Sequence, residues 1–104
     1  MTWIAMELES SIEVPQWTDR KEADTRLVAM WGTYITALHG HEYTHWEYLY
    51  RQARDIAREL YRVESPTCAL MKQMASSTVA RINDRYWKLN EQFDEDNGTI
   101  TWPP

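Results

Sequence analysis

Apolar residues recur at Leu27, Trp31, Tyr34, Ile35 and Leu38, pass through His41 and His45, and continue at Leu49, Ala53, Ile56 and Leu60, the spacing of one helix face. Asp19, with Glu22 three residues on, has the pattern of a helix start, so a first helix is predicted over 19–62. An unbroken helix of that span would be about 66 Å long, awkward in a compact domain. A kink or break is therefore expected, with Gly32 and Gly40 as its places, because glycine weakens a helix interior. Ser65-Pro66 reads as an N-cap and a first-turn proline opening a second helix over 65–95. Its stripe is Met71, Met74, Ala75, Thr78, Ile82, Tyr86, Leu89 and Phe93, and Asn97-Gly98 stops it. The short Val63-Glu64-Ser65 connection makes the two helices antiparallel neighbours.

The ends of the chain carry a different pattern. Trp3 to Glu9 and Ile12 to Val14 alternate apolar and polar residues loosely, and Pro15 closes the region. One or two short strands are expected inside an extended segment 1–17, with room for another in the tail 96–104. The expected architecture is mainly α, formally α+β: a long antiparallel helical hairpin with a short N-terminal β segment, in one domain of 104 residues.

Composition narrows the partners. Sixteen acidic and eleven basic residues give a formal charge of -5, which argues against a nucleic-acid backbone as ligand. Charged residues interrupt every apolar stretch well short of the about 20 needed to cross a bilayer, so no membrane insertion is expected. The first fifteen residues have no basic leader and no apolar run of signal-peptide length. Cys68 is the one cysteine, which rules out a disulfide or a cysteine cluster within this chain. Near a helix start it is expected to be a small buried apolar residue without a catalytic role. Six Trp and six Tyr suit both a core and a cleft that holds peptide or another protein.

The chemistry concentrates in His41, Glu42 and His45, an H-E-x-x-H sequence on the predicted first helix. Two histidines four apart project from one helix face and can share a metal ion. Glu42 projects beside them, where a carboxylate can take a proton from water at the metal and hand it to a leaving amine. Zinc suits such imidazole ligands with an open position, and peptide-bond hydrolysis is the reaction most associated with the motif. The bland alternative is a pair of partly buried, hydrogen-bonded histidines with Glu42 on a solvated flank. His39 lies about 200° round the helix from His41 and is expected to face away.

A zinc site needs a third protein ligand. Antiparallel packing brings the later half of the second helix alongside the motif, making Asp84, Glu91 and Asp94 the available carboxylates. For each of them a solvated helix face is the competing explanation. Asn97 offers a weaker amide oxygen, and Asn97-Gly98 is more simply a turn.

Taken in order, Ile12-Glu13-Val14-Pro15-Gln16-Trp17, Trp31, the H-E-x-x-H residues, Cys68 and Phe93-Asp94 form a pattern spanning about Glu7 to Gly98. It resembles the bacterial family of predicted secreted zinc-dependent proteases, with only H-E-x-x-H individually specific. The resemblance implies a zinc metallopeptidase with Glu42 as general base, a peptide or protein substrate, and a periplasmic or secreted location. In that family a closing Thr-x-His-Gly segment holds the supposed third ligand. Here Asn97-Gly98 or Thr99 falls at that place and no histidine does. That departure motivates the alternative of a catalytically inactive member acting as a protein-binding or inhibitory module. A helical-hairpin oligomer is a third possibility, and the oligomeric state stays open.

Overall fold

The computed structural model describes residues 5–104, and two long helices carry the fold. Helix α1 spans Thr25–Tyr61 and α2 spans Cys68–Asn97. Polar contacts pair them in opposite directions: Gln52 donates to Asn83 at 2.7 Å, while His45, earlier in α1, reaches Asn90, later in α2, at 2.6 Å. The hairpin is therefore antiparallel, as its short connection predicts.

Each helix begins where a side chain can satisfy an orphan backbone donor. Asp24 Oδ1 accepts from the Leu27 N–H at 2.9 Å and starts α1, five residues later than the expected Asp19. Asp19 precedes only a single 3-10 turn, Arg20–Glu22, and makes no capping bond, because Ala23 returns to extended backbone before the helix proper. Thr67 Oγ1 accepts from the Leu70 N–H at 3.1 Å and starts α2. The expected cap, Ser65, instead holds Thr67 through its own hydroxyl, accepting from Thr67 N–H at 3.4 Å, which leaves Pro66 outside the helix. Gly98 ends α2 with φ 67° and ψ -166° and donates its N–H to Asp94 O at 2.9 Å. That backbone region is open essentially to glycine alone.

The expected break in the first helix is not found: α1 runs unbroken through Gly32 and Gly40, 37 residues or about 55 Å. Neither glycine faces a neighbour, since a Cβ on either would meet nothing within 4 Å. The molecule accommodates the length by being elongated, 69 × 26 × 15 Å, so compactness imposes no break. The expected β segment is also absent. Among the described residues of 1–17 and 96–104 no strand forms; Trp3 and Ile4 lie outside the described residues. A strand needs a neighbouring strand for its backbone groups, and the helical hairpin offers none.

The two ends are instead held by aromatic side chains. Trp17 from the N-terminal segment and Trp102 from the tail each meet Trp31 of α1 at 5.7 Å between ring centroids, and Trp102 also meets Tyr34 at 5.5 Å. This cluster packs on one side of the first third of α1, at Trp31 and Tyr34, and leaves most of that stretch exposed. The buried core is small: Ile82 is 1% exposed, Tyr86 3%, and Val63 closes the hairpin turn. Cys68, expected to be buried, is exposed, because the first residue of α2 has no element packed over it.

Candidate metal centre

His41 and His45 share a face one turn apart, and α2 ends opposite them, so its last turns supply the facing side chains. Asp94 Oδ1 lies 3.1 Å from His41 Nε2 and 2.7 Å from His45 Nε2. The ligand atoms of these three residues all fall within 4.8 Å of one another, close enough to hold one metal ion. Phe93 packs against both imidazoles, at 4.9 and 5.1 Å between centroids, and fixes their ring planes on the side toward α2. The His41 side chain is 14% exposed and His45 25%, whereas Asp94 is 56% exposed, so the cluster opens on its carboxylate side.

His45 is held at both nitrogens. Its Nδ1 is 2.6 Å from Asn90 Oδ1, and the Asn90 amide nitrogen donates to the Tyr86 carbonyl at 2.7 Å. Because the amide nitrogen is committed to a carbonyl, the oxygen faces the ring and Nδ1 is the protonated nitrogen. The Nε2 lone pair would then face the Asp94 carboxylate, two acceptors at 2.7 Å, an arrangement that requires a cation between them. A second proton on the ring serves in the absence of metal. Burial opposes it, yet the hydrogen bonds to Asn90 and Asp94 and the charges of Asp94 and Glu42 prevail and hold the His45 pKa above its ordinary value.

Glu42 borders two clefts. One, of about 200 Å3, lies between α1 and the extended N-terminal segment, with Ser10 to Glu13 facing Glu42, His45, Trp46 and Leu49. The other, of about 320 Å3, places Glu42 with His41, Asp94 and the chain from Gly98 to Ile100. Among the described residues Glu42 makes no hydrogen bond or ion pair. Trp46 Nε1 donates to Ser10 Oγ at 2.7 Å and ties the N-terminal segment beside the motif.

Of the four residues considered for the third position, only Asp94 joins the histidines. Asp84 lies more than two turns earlier on α2 and pairs with Lys88 at 2.9 Å. Glu91 is exposed outside the cluster, and Asn97 turns its amide nitrogen onto the Phe93 carbonyl at 2.9 Å. His39 is exposed and away from the pair, as its helical angle predicts. Sequence reasoning did not single out Asn90 as a partner of His45, although it stands four residues before Asp94 and shares its face. Ser10 carried no comparable signal.

Among the described residues no helix is long and apolar enough to cross a membrane. No curated protein and no solved structure matches the chain. A family model does, that of a bacterial protein family of unknown function, DUF922, over residues 1–100. With nearly its whole length matched, the chain belongs to the bacterial DUF922 family.

Proposed function

We propose that this chain is a zinc-dependent metallopeptidase-like domain that hydrolyses peptide or amide bonds, with His41, His45 and Asp94 as metal ligands and Glu42 as general base. The observation that carries the proposal is the convergence of the two Nε2 atoms on one Asp94 carboxylate oxygen, at 3.1 and 2.7 Å. A tetrahedral ion with bonds of about 2.0–2.1 Å keeps its ligands about 3.3 Å apart. The two contacts to Asp94 fall short of that spacing by about 0.2 and 0.6 Å, and the mixed nitrogen and oxygen character of the donor set suits zinc.

Local electrostatics support the same reading. Asp94, Glu95 and Asp96 fall in the last turn of α2, which has no basic residue, where the helix dipole already concentrates negative charge. A cation is what that turn lacks. Asn90, fixed by the Tyr86 carbonyl, keeps His45 Nδ1 protonated and leaves Nε2 as the metal-binding nitrogen.

When bound, zinc supplies Lewis-acid polarisation of a carbonyl and lowers the pKa of water to about 7. Glu42, which borders both clefts and makes no hydrogen bond or ion pair among the described residues, takes the proton of the attacking water and delivers it to the leaving nitrogen. The extended segment at Ser10 to Glu13 forms the wall against which a substrate chain would lie.

Metal analysis of protein purified without chelator and supplied with zinc is expected to find one zinc per chain. Asp94→Ala should lose it, and Glu42→Gln should keep zinc while losing hydrolysis of an unfolded protein substrate. Failure to bind zinc at micromolar levels would overturn the proposal. Zinc retention without hydrolysis by the wild-type chain would select the inactive alternative, a binding or inhibitory module on the same scaffold.

A further inference from the structure

A second polar groove runs between the helices nearer the hairpin turn, with a cavity of about 590 Å3. Arg51, Arg54 and Arg58 enter it from α1 and Arg81 and Arg85 from α2, five of the eleven cationic residues of a chain whose net charge is -5. Their spacings are three, four and four residues, so each helix stacks its guanidinium groups on one face. Arg54 with Arg58, and Arg81 with Arg85, are like-charge pairs at a separation that destabilises an isolated helix. Such a concentration calls for counter-charge.

The groove's own carboxylates supply little of it. Asp55 accepts from the buried Tyr86 hydroxyl and lies 3.9 Å from Arg54. Glu59 is shared between Arg62 at 3.3 Å and Arg81 at 4.0 Å. Arg51 and Arg58 have no ion-pair partner among the described residues. Arg85 likewise has no ion pair among them and lies over the Tyr86 ring, 5.5 Å from its guanidinium carbon.

We propose that this groove binds a small multivalent oxyanion of the phosphoryl class, held between the two banks of arginines. Guanidinium forks match phosphoryl oxygens in pairs, and the set contains arginine throughout with no lysine. The cavity falls within the about 300–1,000 Å3 typical of small-ligand sites. Its apolar lining is limited to Ile82, Leu89 and tyrosine rings, which leaves little for the side chains of a polypeptide. The net negative charge of the rest of the chain disfavours a long nucleic acid, which would have to lie across it. This groove shares no residue with the His41, His45 and Asp94 cluster, so the proposal stands independently of the peptidase reading.

The test is calorimetric titration of the full chain with sodium tripolyphosphate in zinc-free buffer at physiological salt. Saturable one-to-one binding is expected, weakened at least about tenfold in the Arg51→Gln, Arg85→Gln double variant and unchanged in His41→Ala. Both arginines are exposed, so the double variant should fold, and its melting temperature should equal or exceed that of the wild type because repulsion is relieved. No saturable binding at millimolar tripolyphosphate, or binding indifferent to the double substitution, overturns the proposal. So does tighter binding of a polyglutamate peptide, or arginine-dependent sedimentation with phosphatidylglycerol vesicles in preference to tripolyphosphate.

Discussion

At the scale of single residues, the proposed metal centre depends on how His45 is oriented. Asn90 fixes it from the side away from Asp94, through one bond to Nδ1 and another to the Tyr86 carbonyl. Outer partners of this kind are worth about 10–100-fold in metal affinity. Asn90→Ala is therefore expected to weaken zinc binding by about that factor in a chelator competition, while leaving the helical circular-dichroism signal in place. Asn90→Asp should retain more affinity, since a carboxylate also accepts from Nδ1–H. If both variants bind zinc like the wild type, His45 does not use this support. Tyr86 is a residue of the other kind, buried for structure. Burial first, and then its hydrogen bond to Asp55, hold its pKa above the ordinary tyrosine value. A group whose folded pKa is raised stabilises the fold fully below its unfolded pKa, about 10, and that contribution is lost as pH rises through the folded value. Alkaline titration followed by tyrosinate absorbance should show one of the six tyrosines ionising late, together with loss of helix. Tyr86→Phe should remove that phase and also lower stability at neutral pH, because Asp55 loses its donor.

At the scale of elements, Gly98 determines how the chain leaves α2. Its backbone, φ 67° and ψ -166°, sends Thr99 and Ile100 back past Asp94 and Glu42. A side chain there is strained whatever the space around it, so Gly98→Ala should lower unfolding free energy by about 1–3 kcal/mol, read from urea midpoints. Gly32→Ala, in open space within α1, should instead raise it by about 0.5–1 kcal/mol. The contrast between these glycines also explains what was legible in the sequence. The period of apolar residues gives both helices and their antiparallel pairing, and Asn97-Gly98 marks the end of α2. The expected break at Gly32 or Gly40 followed from assuming compactness, a property of the whole chain that local spacing does not encode. The starts moved because Asp24 and Thr67 accept from the Leu27 and Leu70 N–H groups while Asp19 makes no capping bond and Ser65 bonds to Thr67, a choice decided by backbone geometry several residues long. Asp94 emerged from three carboxylates only once the helix register was fixed, since one residue of slip turns a side chain about 100° away.

At the scale of the whole molecule, the protein is a rod with little interior. Its radius of gyration is 20.2 Å, against about 13 Å for a compact chain of this length. Few residues are buried, and the seam between the helices relies on polar pairs such as Gln52 with Asn83 and Tyr86 with Asp55. The ends of the chain therefore depend on the cluster around Trp31, which touches Trp17, Tyr34 and Trp102 at 5.4 to 5.7 Å. Each such aromatic pair contributes about 0.5–1.5 kcal/mol beyond its buried area. Removing Trp31 should free the N-terminal segment and the tail together, while the hairpin from His41 to Asp94 stays paired through its own contacts. Trp31→Ala is thus expected to speed hydrogen exchange and proteolysis within 5–17 and 98–104 and leave zinc affinity unchanged. Under the peptidase reading it should also raise KM more than it lowers kcat. Among the described residues the cleft wall at Ser10 to Glu13 would then keep the Trp46 bond to Ser10 as its hydrogen bond to α1, whereas the ligands and Glu42 keep their places on α1 and α2. Equal protection of both ends in the variant and the wild type would mean that contacts other than this aromatic cluster secure them.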